Sequence, residues 1–226
     1  MVDEMKGEKR HMAELKSMMG IKDVRSMQSM NNEQWERMYD DGMLSLEKLA
    51  PFEHQIETPP YRFKWVLEKA SGEGKSLDIG CNNGSLAYLL NKKGFEVIGL
   101  DVGDKLLAKC VENVPEGKFI KAFADQEIPF PSNHFQIVTA LEVLEHVQNP
   151  EKMVQEMVRV LKPGGKLMAT VPVGKAYDCP QHLRYFDFYK LGELFEPFVD
   201  KFKICRIYKS GTADRERKLY AIEVTK

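Results

Sequence analysis

The sequence predicts an α/β fold: a mostly parallel, doubly wound sheet ending in an antiparallel hairpin, preceded by a helical cap. Three observations predict it. From Ser76 onward, short apolar runs alternate with helical stretches, the pattern of buried strands covered by helices. The last two strands have no helix between them, and a parallel crossover needs about a dozen residues, so they pair antiparallel. The first sixty residues follow a different pattern, and the sheet is complete without them.

Within residues 1–30, Met12, Leu15 and Met19 fall at i, i+3 and i+7, a narrow apolar stripe on a helix. Residues 31–49 read as a second helix, capped by Asn31 or Asn32, with Trp35, Met38 and Tyr39 on one side. Pro51 and the pair Pro59-Pro60 break the chain, and residues 61–70 form a helix whose apolar members are Phe63, Trp65, Val66 and Leu67. The expected division is a helical cap or lid over 1–60 and a sheet domain over 61–226. Strands follow at 76–81, 96–102, 118–124, 135–143 and 166–173, with helices at 85–91, 104–113, 150–161 and 187–195. The strands at 202–209 and 218–225 flank a polar turn at 210–217. There is no internal repeat and no low-complexity tract.

With 226 residues the chain accommodates one α/β domain and a modest appendage. A formal net charge of −1 gives no global positive field for nucleic acid or an anionic membrane. Near the C-terminus, Lys201, Lys203, Arg206, Lys209, Arg215, Arg217 and Lys218 form a basic cluster. Asp200, Asp214 and Glu216 dilute it, so it reads as a solvated face. The cysteines at 81, 110, 179 and 205 lack metal-ligand spacing and read as reduced thiols of a cytoplasmic protein. No run approaches the ~18 apolar residues of a membrane helix, and no signal-peptide core is visible.

The chemistry gathers in the stretch Leu77-Asp78-Ile79-Gly80-Cys81-Asn82-Asn83-Gly84. In an open α/β sheet, ligands sit outside the carboxyl ends of the strands. Gly80 and Gly84 allow a sharp turn and a close backbone approach, and Asp78 offers a carboxylate to a ligand ammonium. A tight strand-to-helix connection would look the same. About 20 residues further on, the next strand ends in Asp101, placed to accept hydrogen bonds from a ribose diol. The alternative use, capping the following helix, falls more naturally to Asp104.

Taken in order, Leu-Asp-Ile-Gly-Cys-x-x-Gly, Val-Ile-Gly-Leu-Asp, Ile-Pro-Phe-Pro-x-x-x-Phe-x-x-Val (128–138), Leu-Glu-His-Val (144–147) and Leu-Lys-Pro-Gly-Gly-Lys-Leu (161–167) resemble the class I S-adenosylmethionine-dependent methyltransferases. The likeness is closest to the methyltransferase-11 group, which includes ubiquinone- and menaquinone-biosynthesis enzymes and other small-molecule methyltransferases. It spans about residues 61–226. The resemblance implies a Rossmann-like seven-stranded sheet, S-adenosylmethionine as cofactor and S-adenosylhomocysteine as product. It implies a methionine-end loop of Asp78, Gly80, Cys81, Asn82 and Gly84, with Asp101 on the ribose and Val102 beside the adenine. Asp125 and Gln126 fall at the adenine edge, and Leu141 and Glu142 beneath the sulfonium. Asn82 stands where the family usually has glycine, and asparagine tolerates left-handed backbone. The interval from Asp125 to Pro129 is one residue short of the family pattern.

Methyl transfer from a sulfonium needs alignment and exclusion of water, and needs a general base only for a hydroxyl or an acidic carbon. His182, in the loop after the strand at 166–173, is the candidate base. Arg184 and Tyr185 are candidate walls of the same acceptor pocket, joined by Trp35 and Tyr39 from the cap. His146 reads as structural. Glu142, Glu145, His146 and His182 together resemble the metal-binding pattern of small-RNA 2′-O-methyltransferases and some quinone O-methyltransferases. Glu-His is common here in metal-free relatives, so no metal is expected. The expected activity is methylation of a small molecule at O, N or C, without nucleic acid or membrane as partner. A macromolecule methylase, a nicotinamide oxidoreductase and a non-catalytic S-adenosylmethionine-binding protein are the alternatives. The first lacks an Asn/Asp-Pro-Pro-Tyr/Phe stretch, since Ala140-Leu141-Glu142-Val143 stands there, and the second lacks Gly-x-Gly-x-x-Gly.

Overall fold

A computed structural model describes residues 27, 29–38, 50–174, 182–208 and 218–226. The elements are α1 (Asn32–Met38), α2 (Phe52–Glu57), α3 (Tyr61–Lys69), β1 (Gly74–Ile79), α4 (Ser85–Lys92), β2 (Phe95–Asp101), α5 (Asp104–Asn113) and β3 (Lys118–Lys121). They continue with β4 (Phe135–Leu141), α6 (Pro150–Val160), β5 (Leu161–Pro172), α7 (Phe188–Phe195), β6 (Phe202–Ile207) and β7 (Leu219–Thr225). Among the described residues the strands form one seven-stranded sheet in the order β3-β2-β1-β4-β5-β7-β6. The first five are parallel; β7 is antiparallel to both β5 and β6. The expected hairpin is therefore present, with β7 inserted between β5 and β6.

Alternate residues of the strands supply two cores, one on each face. Leu77, Ile98, Val138 and Leu167 pack with Met153, Val154 and Met157 of α6 and Leu191 and Phe195 of α7. Val97, Ile137 and Met168 pack on the other face with Val66 of α3 and Leu86 and Leu90 of α4. Burial on both faces explains why the strands read as near-continuous apolar runs. Helix starts follow side-chain chemistry. The Asn149 and Asp187 oxygens accept from the amides of Lys152 and Lys190, opening α6 and α7. At α1, Asn31 and Gln34 exchange bonds of 3.0 Å in a capping box, which decides between the two expected caps in favour of Asn31.

Some boundaries differ from expectation. Strand β3 stops at Lys121, and beyond it only the Ala122 amide still bonds to the Asp101 carbonyl before the chain turns to the cleft. Strand β5 begins at Leu161, because Leu161 pairs with Phe135 ahead of a register shift around Pro163–Gly165. Helix α2 was not expected; it fits between Pro51 and Pro59-Pro60, and Phe52 packs edge-on against Tyr88 of α4 at 5.5 Å. Met12, Leu15 and Met19, Tyr39 and the 210–217 turn lie outside the described residues. A third apolar cluster joins Met27, Met30, Trp35 and Met38 to Leu183 and Phe123, seating α1 on the carboxyl side of the sheet.

Candidate active site

Three left-handed residues bend the chain after β1: Gly80 (φ 70°), Asn82 (φ 55°) and Gly84 (φ 82°). Asparagine accepts this region at modest cost, so the departure from glycine at position 82 leaves the turn intact. The Gly80 and Cys81 amides bond to the Leu100 carbonyl, tying the turn to β2. Asp101 completes the tie, its Oδ2 accepting from the Asn82 amide at 2.9 Å. Its Oδ1 accepts from the amides of Val102 and Gly103 at 2.8 and 3.1 Å. Asp104 does not cap α5. It is the first helical residue and pairs instead with Lys121 at 2.8 Å, while Gly103 holds the cap position without a side-chain bond.

Asp78 is fully enclosed and accepts a 2.6 Å hydrogen bond from the Thr139 hydroxyl. Burial pushes its carboxyl up to about 7. The hydroxyl opposes this and the nearby Asp101 charge adds to it. The folded protein thus holds the Asp78 proton more tightly than the unfolded chain, and this contribution to stability declines as pH rises from about 4 to 7. The melting temperature of the ligand-free protein relative to Asp78→Asn should fall across that window and level off above it. A difference independent of pH would contradict the perturbed carboxyl. Beside Asp78, the Cys110 thiol and burial push the Cys81 thiol well up, so Cys81 is an inert neutral wall.

Two cavities meet at this loop. One, of about 380 Å³, runs from Asp101, Val102, Asp125 and Gln126 to Glu145, His146 and His182. The other, of about 320 Å³, is lined by Asp78, Cys81, Asn83 and Ser85. They share Arg62, Gly80, Asn82 and Leu141, so together they form an elongated cleft outside the carboxyl ends of β1, β2 and β4. Gly84 is buried at the start of α4 and borders neither cavity. Arg62, from α3, was not singled out in the sequence. It pairs with Glu142 at 3.2 Å where the cavities join, and no motif marks it, since it lies ahead of β1 in a helix that also carries Lys64, Glu68 and Lys69. Glu142 itself has φ 59°, a conformation costing roughly 1–2 kcal/mol outside glycine.

Of the residues expected to form an acceptor pocket, His182 is 7% exposed and lines the larger cavity together with Trp35. Its ring lies 4.9 Å from that of His146 and 6.0 Å from that of Tyr185. Ligand-capable atoms of Glu145, His146 and His182 lie within 4.8 Å of one another, which brings together three of the four residues of the metal-like pattern and leaves out Glu142. A buried carboxylate and two imidazoles suit a divalent transition ion. Arg184 and Tyr185 do not border the cavity; Arg184 turns to backbone carbonyls and Tyr185 backs His182. Asp125 lines the cavity, while its Oδ2 accepts from the Gln148 and Asn149 amides; Gln126 donates to Asn32 of α1 at 3.1 Å.

The fold and cleft are those the sequence resemblance implies, and comparison with known proteins points the same way. Residues 77–169 match the family model described as a methyltransferase domain. A ubiquinone biosynthesis O-methyltransferase of Aliivibrio fischeri is 36% identical over 118 residues, half of each chain. One from Pseudomonas putida is 32% identical over 126 residues, 54% of each. The chain thus matches about half the length of these curated relatives. Among solved structures, the [4+2]-cyclase SpnF aligns with TM-score 0.65 at 18% identity, covering 87% of this chain and 97% of that one. The Bacillus subtilis YcgJ protein aligns with TM-score 0.59 at 16% identity, covering 72% and 96%. These findings bear out the resemblance drawn from the sequence to this extent: residues 77–169 match a methyltransferase domain, and the fold is that of its structural neighbours.

Proposed function

We propose that the chain transfers a methyl group from S-adenosylmethionine to a hydroxyl of a small molecule. The observation that carries the reading is the two-part cleft, with Asp78 in one part and Asp101 in the other, joined over Gly80. S-adenosylmethionine, when bound, supplies a methyl group on a sulfonium and is left as S-adenosylhomocysteine. Asp78 receives the ammonium, and Arg62, at the junction, is placed for the carboxylate. Asp101 accepts from the ribose hydroxyls while its amide contacts keep the loop in shape. Val102, Asp125 and Gln126 border the adenine, and Leu141 and Glu142 the sulfonium. His182 takes the proton of the attacking hydroxyl on an imidazole nitrogen, and Trp35 with the rest of the 1–60 cap excludes water. The names of the curated relatives favour oxygen over nitrogen or carbon.

A metal-assisted form of the same transfer is a second reading. Glu145, His146 and His182 would hold a divalent ion that fixes and acidifies the acceptor hydroxyl, and their clustering within 4.8 Å supports it. Among the described residues no helix is long and apolar enough to cross a membrane. A reducing, cytoplasmic setting fits the thiols of Cys81, Cys110 and Cys205, which are free.

Calorimetric titration with S-adenosylmethionine, S-adenosylhomocysteine and NAD is the first test, with saturable binding of the first two expected and none of NAD. Labelled-methyl transfer into fractionated small-molecule extract, with and without chelator, follows. Absence of binding by either sulfur ligand rejects the reading. Binding without transfer to any fraction leaves a non-catalytic or non-methylating protein, a use of the fold that SpnF, a cyclase by name, also represents.

A further inference from the structure

The loop carrying Glu145 and His146 joins β4 to α6 as turns and bends, without strand pairing of its own. Its polar backbone is satisfied from outside by two side chains of opposite charge. On the carbonyl side, Arg184 donates from Nη1 to Leu144 and Val147 and from Nη2 to Gln148, the outer bonds measuring 3.1 and 3.0 Å. On the amide side, Asp125 Oδ2 accepts from Gln148 and Asn149. The neighbour of Arg184 adds one more link, as the Leu183 amide donates to the Glu145 carbonyl at 2.9 Å. Residues 182–184 are thus fastened to residues 144–148, and the fastening lies directly behind the group formed by Glu145, His146 and His182.

We propose that Arg184 is a positioning residue, gripping the Leu144–Gln148 carbonyls against the pull of Asp125 so that His182 is held beside His146 and Glu145. The inference rests on the reading that this cluster serves methyl transfer. Only a planar guanidinium presents several N–H groups in a fixed fork; a lysine ammonium holds its three N–H donors on one nitrogen and does not span three carbonyls. Without the fork, those carbonyls lose partners in a half-buried place, and the two segments bearing the imidazoles are free to separate.

The test is the proton–proton nuclear Overhauser cross-peak between the imidazoles of His146 and His182, whose rings are 4.9 Å apart, assigned with His→Gln variants. In Arg184→Gln it should fall to half or less, with the Kd for S-adenosylmethionine within threefold of the wild type. A full cross-peak in folded Arg184→Gln overturns the proposal. Loss of cofactor binding along with the cross-peak overturns it too, because Arg184 would then be a general scaffold residue. Should Arg184→Gln fail to fold, Arg184→Lys is read by the same criteria. The cross-peak does not depend on activity, so a failure of the methyltransferase reading appears separately, in the wild-type titration.

Discussion

Asp101→Ala will weaken S-adenosylmethionine binding by about a hundredfold or more in a calorimetric titration. Hydrogen bonds to a charged group contribute about 1.5–3 kcal/mol each, and about 1.4 kcal/mol is tenfold in affinity. The substitution removes the proposed ribose acceptor and also the partner of the Asn82, Val102 and Gly103 amides. Both loops that shape this end of the cleft lose their tie at once. Asp101→Asn keeps an acceptor oxygen and should lie between the two. An unchanged affinity in the alanine variant would reject the ribose role.

The second large effect is expected at Gly80. Its φ of 70° is costly for an L-residue, and a Cβ there would lie 2.6 Å from Val143 Cγ2. Left-handed backbone costs roughly 1–2 kcal/mol and overpacking about 1–3 kcal/mol. For a chain of this size, each kcal/mol lowers the melting temperature by about 2–4 °C. Gly80→Ala should therefore melt roughly 5–15 °C lower, with cofactor affinity reduced because the displaced turn borders both cavities. Gly94→Ala is the control, since its φ is 98° and nothing lies within 4 Å of the added methyl. Equal losses in the two variants would show that the Val143 contact does not matter.

The parts legible in the sequence were those governed by periodicity and local chemistry. Helix α5 has the expected bounds, and the apolar runs of β1, β2 and β4 could be read because both faces are buried. Asp78 and Asp101 could be read because a strand end followed by a glycine turn fixes where a carboxylate must lie. Other features depend on tertiary contact. Arg62 reaches the cleft only because α3 packs near α4, and Arg184 looked like a pocket residue because the carbonyls it serves belong to a loop about 40 positions away. Asp104 seemed the natural cap, but Lys121, on a neighbouring strand, gives it a partner. His146 reads as structural although the metal pattern pairs it with His182, and only the fold brings the two rings to 4.9 Å.

The placement of β7 governs the order of assembly. Strand β6 pairs in the sheet with β7 and not with β5, so its place in the sheet depends on the strand that follows it in sequence. Until Leu219–Thr225 threads into its slot, the outer edge of β5 is bare and Ile222 and Val224 are missing from the core on that side. Closure of the sheet on this side therefore depends on a pairing that is distant in sequence, the kind of contact that slows folding.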